Sequence, residues 1–487
     1  MVRSCADACR LMFLFRACGD RAAALVLQSA DDLVQEMLCR SIGSPVTPAA
    51  ALQSTLPIRA GGLGFLRAAD VALPAFVAAR VDSRPLVSSL FGQMPGSWGL
   101  QDWLMPAYDE RTTAATSRLS AALPPAAAAQ VPRITEEGDT LAAETFSKIS
   151  GGRGQPGVSP ASAPAAGLLA DVCDVDASQQ GSLGIQARLV ALADGVHFDR
   201  LVHALANASD WEGMRRLREL RHADTDHSWQ WALNPAHGCY MPPDEYADAV
   251  RILLGLQFTQ DAVACAACDG GLLLPTCNHA LRCAPGECTR GHNVVRDEVM
   301  VLASLADPHT QLEPCGVIPD DPGARPADLL TSAALAGCSA ALDVGIASPD
   351  SAGAGDDCCE GLRRSKLSKY STHFPALAAQ GVRYVPFTAS AYGRLHPDAH
   401  AVLRNLAACA ARRHGNISAV ALLRRVRARI SVRIWRRAVA MVRACLPPLS
   451  GQQADALLGA DPAGGAAVDG PGAALVLASA GLAALAA

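Results

Sequence analysis

Residues 325–348, RPADLLTSAALAGCSAALDVGIAS, contain two short apolar runs separated by a turn of small residues. The runs 327–331 and 340–347 have the length and composition of strands, and the turn lies midway between Asp328 and Asp343. If the runs pair as an antiparallel hairpin, the two carboxylates come side by side. Neighbouring carboxylates bind magnesium, so this stretch predicts a strand pair that carries a metal site.

The flanking segments extend the hairpin into an α/β domain over residues 294–400. The spacing of apolar residues predicts a helix over 294–306 before the hairpin. After it, the pattern predicts a helix over 363–374 and a third strand over 382–388. The order α-β-β-α-β is typical of a sheet that is covered by helices.

Other polar residues of this domain are candidates for the same site. Lys366, Lys369 and Tyr370 have the i, i+3, i+4 spacing that places them on one helix face. A lysine there can stabilise charge on a phosphate, and Glu313 can add a metal ligand. Asp343 lies among apolar neighbours, where an unpaired charge is costly. The alternative for each of these residues is a turn former or a solvated helix face.

A cysteine-rich segment, residues 263–293, precedes this domain. Its spacing C-x2-C-x10-H-x3-C is formed by Cys265, Cys268, His279 and Cys283. Four such ligands suit tetrahedral zinc, and a complete set leaves no open position for chemistry, so we expect a structural zinc knuckle. The alternatives for the fourth ligand are Cys277, Cys288 and His292.

Basic residues lie on both sides of the predicted α/β domain. A group near a helix start has side chains suited to binding backbone phosphates: Arg290, His292 and Arg296. Residues 404–443 hold eleven arginines and no Asp or Glu, and 417–445 predicts an amphipathic helix. One face of it carries an arginine at every fourth position: Arg425, Arg429, Arg433 and Arg437. That face favours phosphate binding, with a solvated surface as the alternative.

Composition divides the rest of the chain. The predicted units are helices over 1–105, a disordered Ala/Pro/Gly/Ser-rich linker over 106–185, a helical module over 186–262, the Arg-rich helical region 401–447 and a low-complexity tail over 448–487. The seventeen cysteines occur without a signal peptide, which indicates reduced or metal-bound thiols. Because the apolar stretches are shorter than the ~20 residues of a spanning helix, we expect neither secretion nor a transmembrane segment.

Taken in order, the motifs C-x2-C, H-x3-C, R-x-H-N, RPAD, ALDV and KLSKY resemble the restriction-like endonuclease end of non-LTR retrotransposon proteins. That nuclease belongs to the PD-(D/E)xK superfamily. The resemblance implies that Asp328 and Asp343 bind catalytic magnesium and that Lys366 or Lys369 is the catalytic lysine. It also implies that the zinc knuckle contacts nucleic acid.

Two positions depart from the usual pattern of that superfamily. Gly345 stands where a lysine commonly follows the second acid, so the lysine role falls to the later helix. Ala327 separates the proline and the aspartate of the usual PD pair.

The resemblance extends over most of the chain. The stretch from HSWQWALNP to LLGLQF is similar to the linker before the knuckle, and LPIRAGGLGF is similar to the thumb-like region after a reverse transcriptase. No polymerase palm is recognisable, so we do not expect DNA synthesis. The resemblance implies a nuclear protein that nicks DNA and also binds the element's RNA. The alternatives are a nucleic-acid-binding protein without cleavage and an inactive truncated fragment.

Overall fold

The computed structural model describes residues 11–93, 100–131, 184–232, 239–268, 271–318, 321, 323 and 325–447. In this part of the chain, the segments before residue 256 are helical. In chain order the helices are α1 (Met12–Cys18), α2 (Ala24–Ile42), α3 (Pro48–Thr55), α4 (Ala68–Gln93), α5 (Leu100–Ala121), α6 (Pro125–Ala128), α7 (Ile185–Asn207), α8 (Trp211–Arg221) and α9 (Pro243–Leu254). Among the described residues, no helix is both long enough and apolar enough to cross a membrane.

The prediction of a disordered linker is wrong for its first part, residues 106–131. Residues 106–131 form most of α5 and all of α6. Leu119 and Val131 are buried against Phe76 and Leu189, which belong to neighbouring helices. Alanine has the highest helix propensity, so an Ala-rich segment is helical where an apolar surface is available to cover it. Residues 132–183 of the predicted linker and the predicted tail 448–487 lie outside the described residues.

A glycine turn follows α3 and joins two helical regions. Gly61 has φ +84°, and a Cβ on Gly62 would lie 2.0 Å from the Leu56 carbonyl oxygen, so the turn requires both glycines. The Gln53 side-chain amide donates to the carbonyls of Gly61 and Leu253, each at 2.9 Å. This buried amide therefore ties the N-terminal helices to α9.

The cysteine-rich segment begins with a two-stranded sheet, β1 (Val263–Ala264) and β2 (Leu272–Leu273), followed by α10 (Ala280–Cys283) and α11 (Pro285–Ala306). The larger sheet comes next. Its strands are β3 (Gln311–Leu312), β4 (Leu329–Thr331), β5 (Ser339–Ala347) and β6 (Val382–Ser390), in the order β3-β4-β5-β6. The first two pairs are antiparallel and β5–β6 is parallel. The predicted hairpin and third strand are confirmed, whereas β3 was not predicted.

Helices cover both faces of this sheet. Between β5 and β6 the chain forms α12 (Cys358–Tyr370) and α13 (Phe374–Ala379), and after β6 it forms α14 (Pro397–His414) and α15 (Ala419–Cys445). Leu342 and Phe387 pack on the face that meets α11, α14 and α15. Ala341 and Tyr384 pack on the opposite face, which meets α12 and α13. Because side chains alternate along a strand, Asp343 shares the α12 face with Ala341.

Helix α15 differs most from its prediction, which was an amphipathic helix with one exposed face of arginines. From Ile430 onward most of its residues are buried, and it packs against α9, α10, α11 and α14. Trp435 stacks on Trp229 with ring centroids 4.3 Å apart. The helix is therefore part of the core, and only its first turns keep a broadly exposed side.

A buried arginine joins the helical module to the sheet. Arg394, which is 3% exposed, donates to both oxygens of Glu219 on α8 at 2.8 and 3.0 Å. It also donates to Asp357, the N-cap of α12, at 2.7 and 2.9 Å. The hydrogen bonds to Arg394 hold the pKa of Asp357 well below its usual range. One guanidinium thus neutralises two acids from separate elements.

We predict that Arg394→Ala lowers the free energy of unfolding by about 3–5 kcal/mol, because it leaves the Glu219 carboxylate buried without its partner. Chemical denaturation of the full chain measures this change. Arg364→Ala is the matched control, since Arg364 is 74% exposed in its pair with Glu360, and we expect a loss below about 1 kcal/mol. Equal losses in the two variants would contradict this role of Arg394.

Candidate functional site

The four predicted zinc ligands come together. The ligand atoms of Cys265, Cys268, His279 and Cys283 all lie within 4.8 Å of one another. The Cys265 and Cys283 sulfurs are 3.6 Å apart, and the Cys268 sulfur lies 3.3 Å from Nε2 of His279. Metal–sulfur bonds of about 2.3 Å in a tetrahedron place two sulfurs about 3.8 Å apart. The group therefore has the dimensions of a tetrahedral metal site.

The local fold explains this convergence. Cys265 directly follows β1, and its backbone amide donates to the Gly271 carbonyl at 2.8 Å, which closes the turn that carries Cys268. His279 precedes α10 and Cys283 ends it, so one short helix presents both ligands. A Cβ on Gly271 would lie 2.5 Å from the Cys268 sulfur, so glycine leaves room for the ligands.

The three alternative ligands are not part of this group. Cys277 has φ +57° and directs its thiol to the Pro275 carbonyl at 3.7 Å. Cys288 receives a hydrogen bond from Arg437 at 3.3 Å, and His292 lies beside Asp328. A group of three cysteines and one histidine fits zinc, which would be held by protein ligands alone and would stabilise the fold.

The second site lies where β4 and β5 pair. Leu329 is opposite Leu342, and the Asp328 amide continues this pairing by donating to the Leu342 carbonyl at 2.8 Å. Asp328 directly precedes Leu329 and Asp343 directly follows Leu342, so both acids stand next to the last residue pair of this ladder. One oxygen of Asp328 accepts from the Val344 amide at 2.7 Å, so its carboxylate is held against β5.

Each aspartate has a basic partner from a covering helix. Lys366 on α12 donates to Oδ1 of Asp343 at 2.5 Å and to the Val344 carbonyl at 2.9 Å. His292 on α11 lies with Nε2 3.2 Å from Oδ1 of Asp328. Burial raises the pKa of Asp328, but His292, the Val344 amide and the charge of Lys366 together outweigh burial and lower it. Asp328 therefore stays ionised at neutral pH.

The space for Lys366 depends on Gly345. A Cβ at residue 345 would lie 2.5 Å from Cε of Lys366 and 2.8 Å from Cδ2 of Leu362. The lysine side chain from α12 therefore passes through the volume that any larger residue at 345 would fill. The absence of a lysine at residue 345 and the presence of Lys366 on the helix are therefore one arrangement in space.

Tyr384 completes the surroundings of Asp343 and was not predicted. Its hydroxyl donates to Oδ2 of Asp343, and its ring packs against Tyr370 and Phe374 at centroid distances of 5.2 and 5.7 Å. Burial and this hydrogen bond raise the pKa of Tyr384, which keeps it a donor. The only signal in the sequence was a polar ring in the third strand, and the pairing of Ala341 with Tyr384 became known from the structure.

The other predicted catalytic residues lie around this pair. Lys369 is exposed and its ammonium lies 4.7 Å from the Tyr370 ring centroid, so of the two candidate lysines it is Lys366 that contacts an aspartate. Glu313 does not join them, because its carboxylate pairs with Arg296 at 2.5 Å and Arg325 at 3.4 Å. Among the described residues, three or more side chains that could hold a metal ion come together at the cysteine site and not around Asp328 and Asp343.

The three predicted phosphate-binding residues have different environments, and His292 is half-buried beside Asp328. Arg290 is 75% exposed beside Glu287, whereas Arg296 is buried between Asp297 and Glu313. The prediction of free phosphate contacts is therefore wrong for Arg296. The reason is that α11 packs on the sheet, and a helix has only one outward face.

The arginine face of α15 is also corrected. Arg425 is exposed, but Arg429 and Arg433 both donate to the buried carboxylate of Glu298, at 2.6 and 3.0 Å. Arg437 is 6% exposed and lies against Gly291 and Cys288, so it is not available to phosphate. The acids that neutralise this helix come from distant segments, which a count of acids within the helix does not include.

No protein-family model matches this chain, and the search of curated proteins finds no match either.

We predict about one zinc ion per chain, bound by the Cys265 group. Elemental analysis after gel filtration measures it, and a chelator that removes the ion is expected to lower the unfolding temperature because metal binding contributes folding free energy. The double variant Cys265→Ser, Cys268→Ser should contain none. Cys315→Ser, at an exposed cysteine outside the group, is the control. Zinc retained by the double variant would rule out this ligand set.

Proposed function

We propose that the chain is a metal-dependent endonuclease of the restriction-endonuclease-like, PD-(D/E)xK type that nicks DNA, as in non-LTR retrotransposon proteins. One observation carries the proposal. Asp328 and Asp343 lie next to the Leu329–Leu342 pair of two neighbouring strands, and Lys366 reaches Asp343 through the space left by Gly345. Two acids and one lysine on this framework are the groups that phosphodiester hydrolysis needs.

The chemistry divides between the metal and the side chains. Carboxylate oxygens are the ligands that magnesium prefers, and the bound ion would supply hydroxide at neutral pH and stabilise charge on the phosphate. Asp328 and Asp343 would hold the ion. Lys366 would exchange its contact with Asp343 for the attacking water or a phosphate oxygen, and its contact with the Val344 carbonyl keeps the amine near both positions.

Tyr384 and His292 would position the two acids. The Tyr384 hydroxyl binds one oxygen of Asp343 and leaves the other to the cation. For Asp328, His292 lies beside one oxygen and the Val344 amide donates to the other. Neither Tyr384 nor His292 lies on the hairpin itself, so strand β6 and helix α11 set the orientation of the carboxylates.

Exposed cations at the edge of this site fit a nucleic-acid backbone. Arg325 and Arg364 are 61% and 74% exposed, and Lys369 is exposed beside Tyr370. Such groups would bind phosphates of DNA in the nucleus and, as a second ligand, the RNA of the element. Among the helix arginines, we now assign this contact to Arg425 alone.

A second candidate is a nucleic-acid-binding protein of the same fold that does not cleave, including an inactive truncated copy. The observations that favour it are the ion pair of Lys366 with Asp343 and the pairing of the Glu313 carboxylate with Arg296. A nicking assay separates the two functions.

We predict that the full chain with magnesium nicks supercoiled plasmid, and that Asp343→Asn lowers the rate by at least about 100-fold, because it removes one charged ligand and leaves the size of the residue unchanged. Gel electrophoresis of relaxed against supercoiled plasmid measures the rate. Asp356→Asn is the control, at an exposed aspartate outside the site. The absence of nicking by either protein favours the second candidate, and equal nicking by both rules out the catalytic role of Asp343.

The lysine has its own prediction. We expect Lys366→Ala to lower nicking by about 100-fold, since it removes the cation that stabilises the phosphate. Adding Gly345→Lys to Lys366→Ala should recover at least about tenfold, because the new side chain enters the space that Lys366 filled. Gly345→Lys alone should lower activity, since two lysines then compete for one volume. A folded double variant that nicks no faster than Lys366→Ala would contradict the prediction that a lysine at residue 345 can replace Lys366.

A further inference from the structure

The last turn of α15 is attached to the metal group. Cys445 ends the helix, and its carbonyl accepts from the Ala266 amide at 2.9 Å. Ala266 lies between the ligands Cys265 and Cys268. Helix α10, which presents His279 and Cys283, also packs against α15. The end of the Arg-rich helix and the cysteine segment therefore share a backbone hydrogen bond and a packed surface.

The Cys445 side chain points to the same place. Its thiol is fully buried and interacts with the thiols of Cys265 and Cys283, which are themselves 3.6 Å apart. It is thus a fourth cysteine, beside one edge of the group of three cysteines and one histidine. A protonated thiol is a weak donor, and a metal-bound thiolate is a charged acceptor, which strengthens the hydrogen bond.

Burial alone does not account for this position. Cys277 is also fully buried and lies between the ligands in the sequence, but its thiol contacts the Pro275 carbonyl. Cys445 is far from the ligands in the sequence, and yet it contacts two of them. The two cysteines therefore differ in whether the thiol contacts the metal ligands.

We propose that Cys445 is a working part of the metal centre: its thiol donates to the Cys265 thiolate and thereby couples metal binding to the docking of α15. The ion would then join three segments, the C-x2-C turn, α10 and the end of α15, so the centre is not a self-contained knuckle. Groups that hydrogen-bond to metal ligands typically change metal affinity by 10–100-fold.

The first test is zinc affinity of the full chain under reducing conditions, measured by competition with a chromogenic chelator. Cys445→Ala should raise the zinc Kd by about tenfold, and the matched variant Cys277→Ala should leave it within about twofold. An unchanged Kd in Cys445→Ala overturns the proposal. Should Cys445→Ala not fold, Cys445→Ser is compared with Cys277→Ser, and equal affinities of these two overturn it.

The second test follows the helix instead of the ion. Amide hydrogen exchange is measured with zinc bound and after chelation. In the wild type, chelation should speed exchange in the last turns of α15, because the ion orders the segment that holds Ala266 against Cys445. The first turns of α15 are the internal control. Chelation that leaves the last turns unchanged while releasing zinc overturns the coupling.

Discussion

Burial of helix α15 is the constraint on which most of the structure depends. At 27 residues it is about 40 Å long. Along its length it packs on helices that cover the sheet, on the short helix Ser228–Trp231, on α9 and on the cysteine segment. Several of its arginines meet an acid from another segment, as Arg436 meets Glu245 and Arg429 meets Glu298, whereas the buried Arg437 donates to the Cys288 sulfur. Removing one partner of a buried ion pair is strongly unfavourable, so these acids must dock in register with the helix.

The same principle organises the candidate site. Asp343 lies on a buried strand, where an isolated carboxylate is unstable, and the fold supplies Lys366 and Tyr384 from two other elements. A carboxylate with two partners is held in one orientation, as ligands of a metal or substrate must be. In the proposed function, a metal ion would compete with Lys366 for this carboxylate, and the helix that carries the lysine packs on the same face of the sheet.

Much of the site could be predicted from the sequence because its information is local. The two aspartates flank a single connection, and the apolar pattern of the two runs sets the register that brings both aspartates to the same end of the strand pair; the four metal ligands lie within one short segment. The α-β-β-α-β order follows from periodicity. The linker prediction over 106–131 was wrong because an Ala-rich composition fits both a disordered chain and a packed helix. Here the segment is helical because it packs against Phe76 and Leu189.

Long-range partners account for the remaining differences. A stripe of arginines looks like a phosphate-binding face when the chain is considered alone, but Glu298 neutralises two of them and packing buries Arg437. Glu313, Tyr384 and Cys445 each acquire their role from a residue far along the chain. The sequence by itself determined the strand pair, its two acids and the cysteine–histidine spacing, since short-range geometry dictates them. Only the tertiary structure decided which lysine reaches Asp343 and which charges stay exposed, because these depend on how helices pack across the sheet.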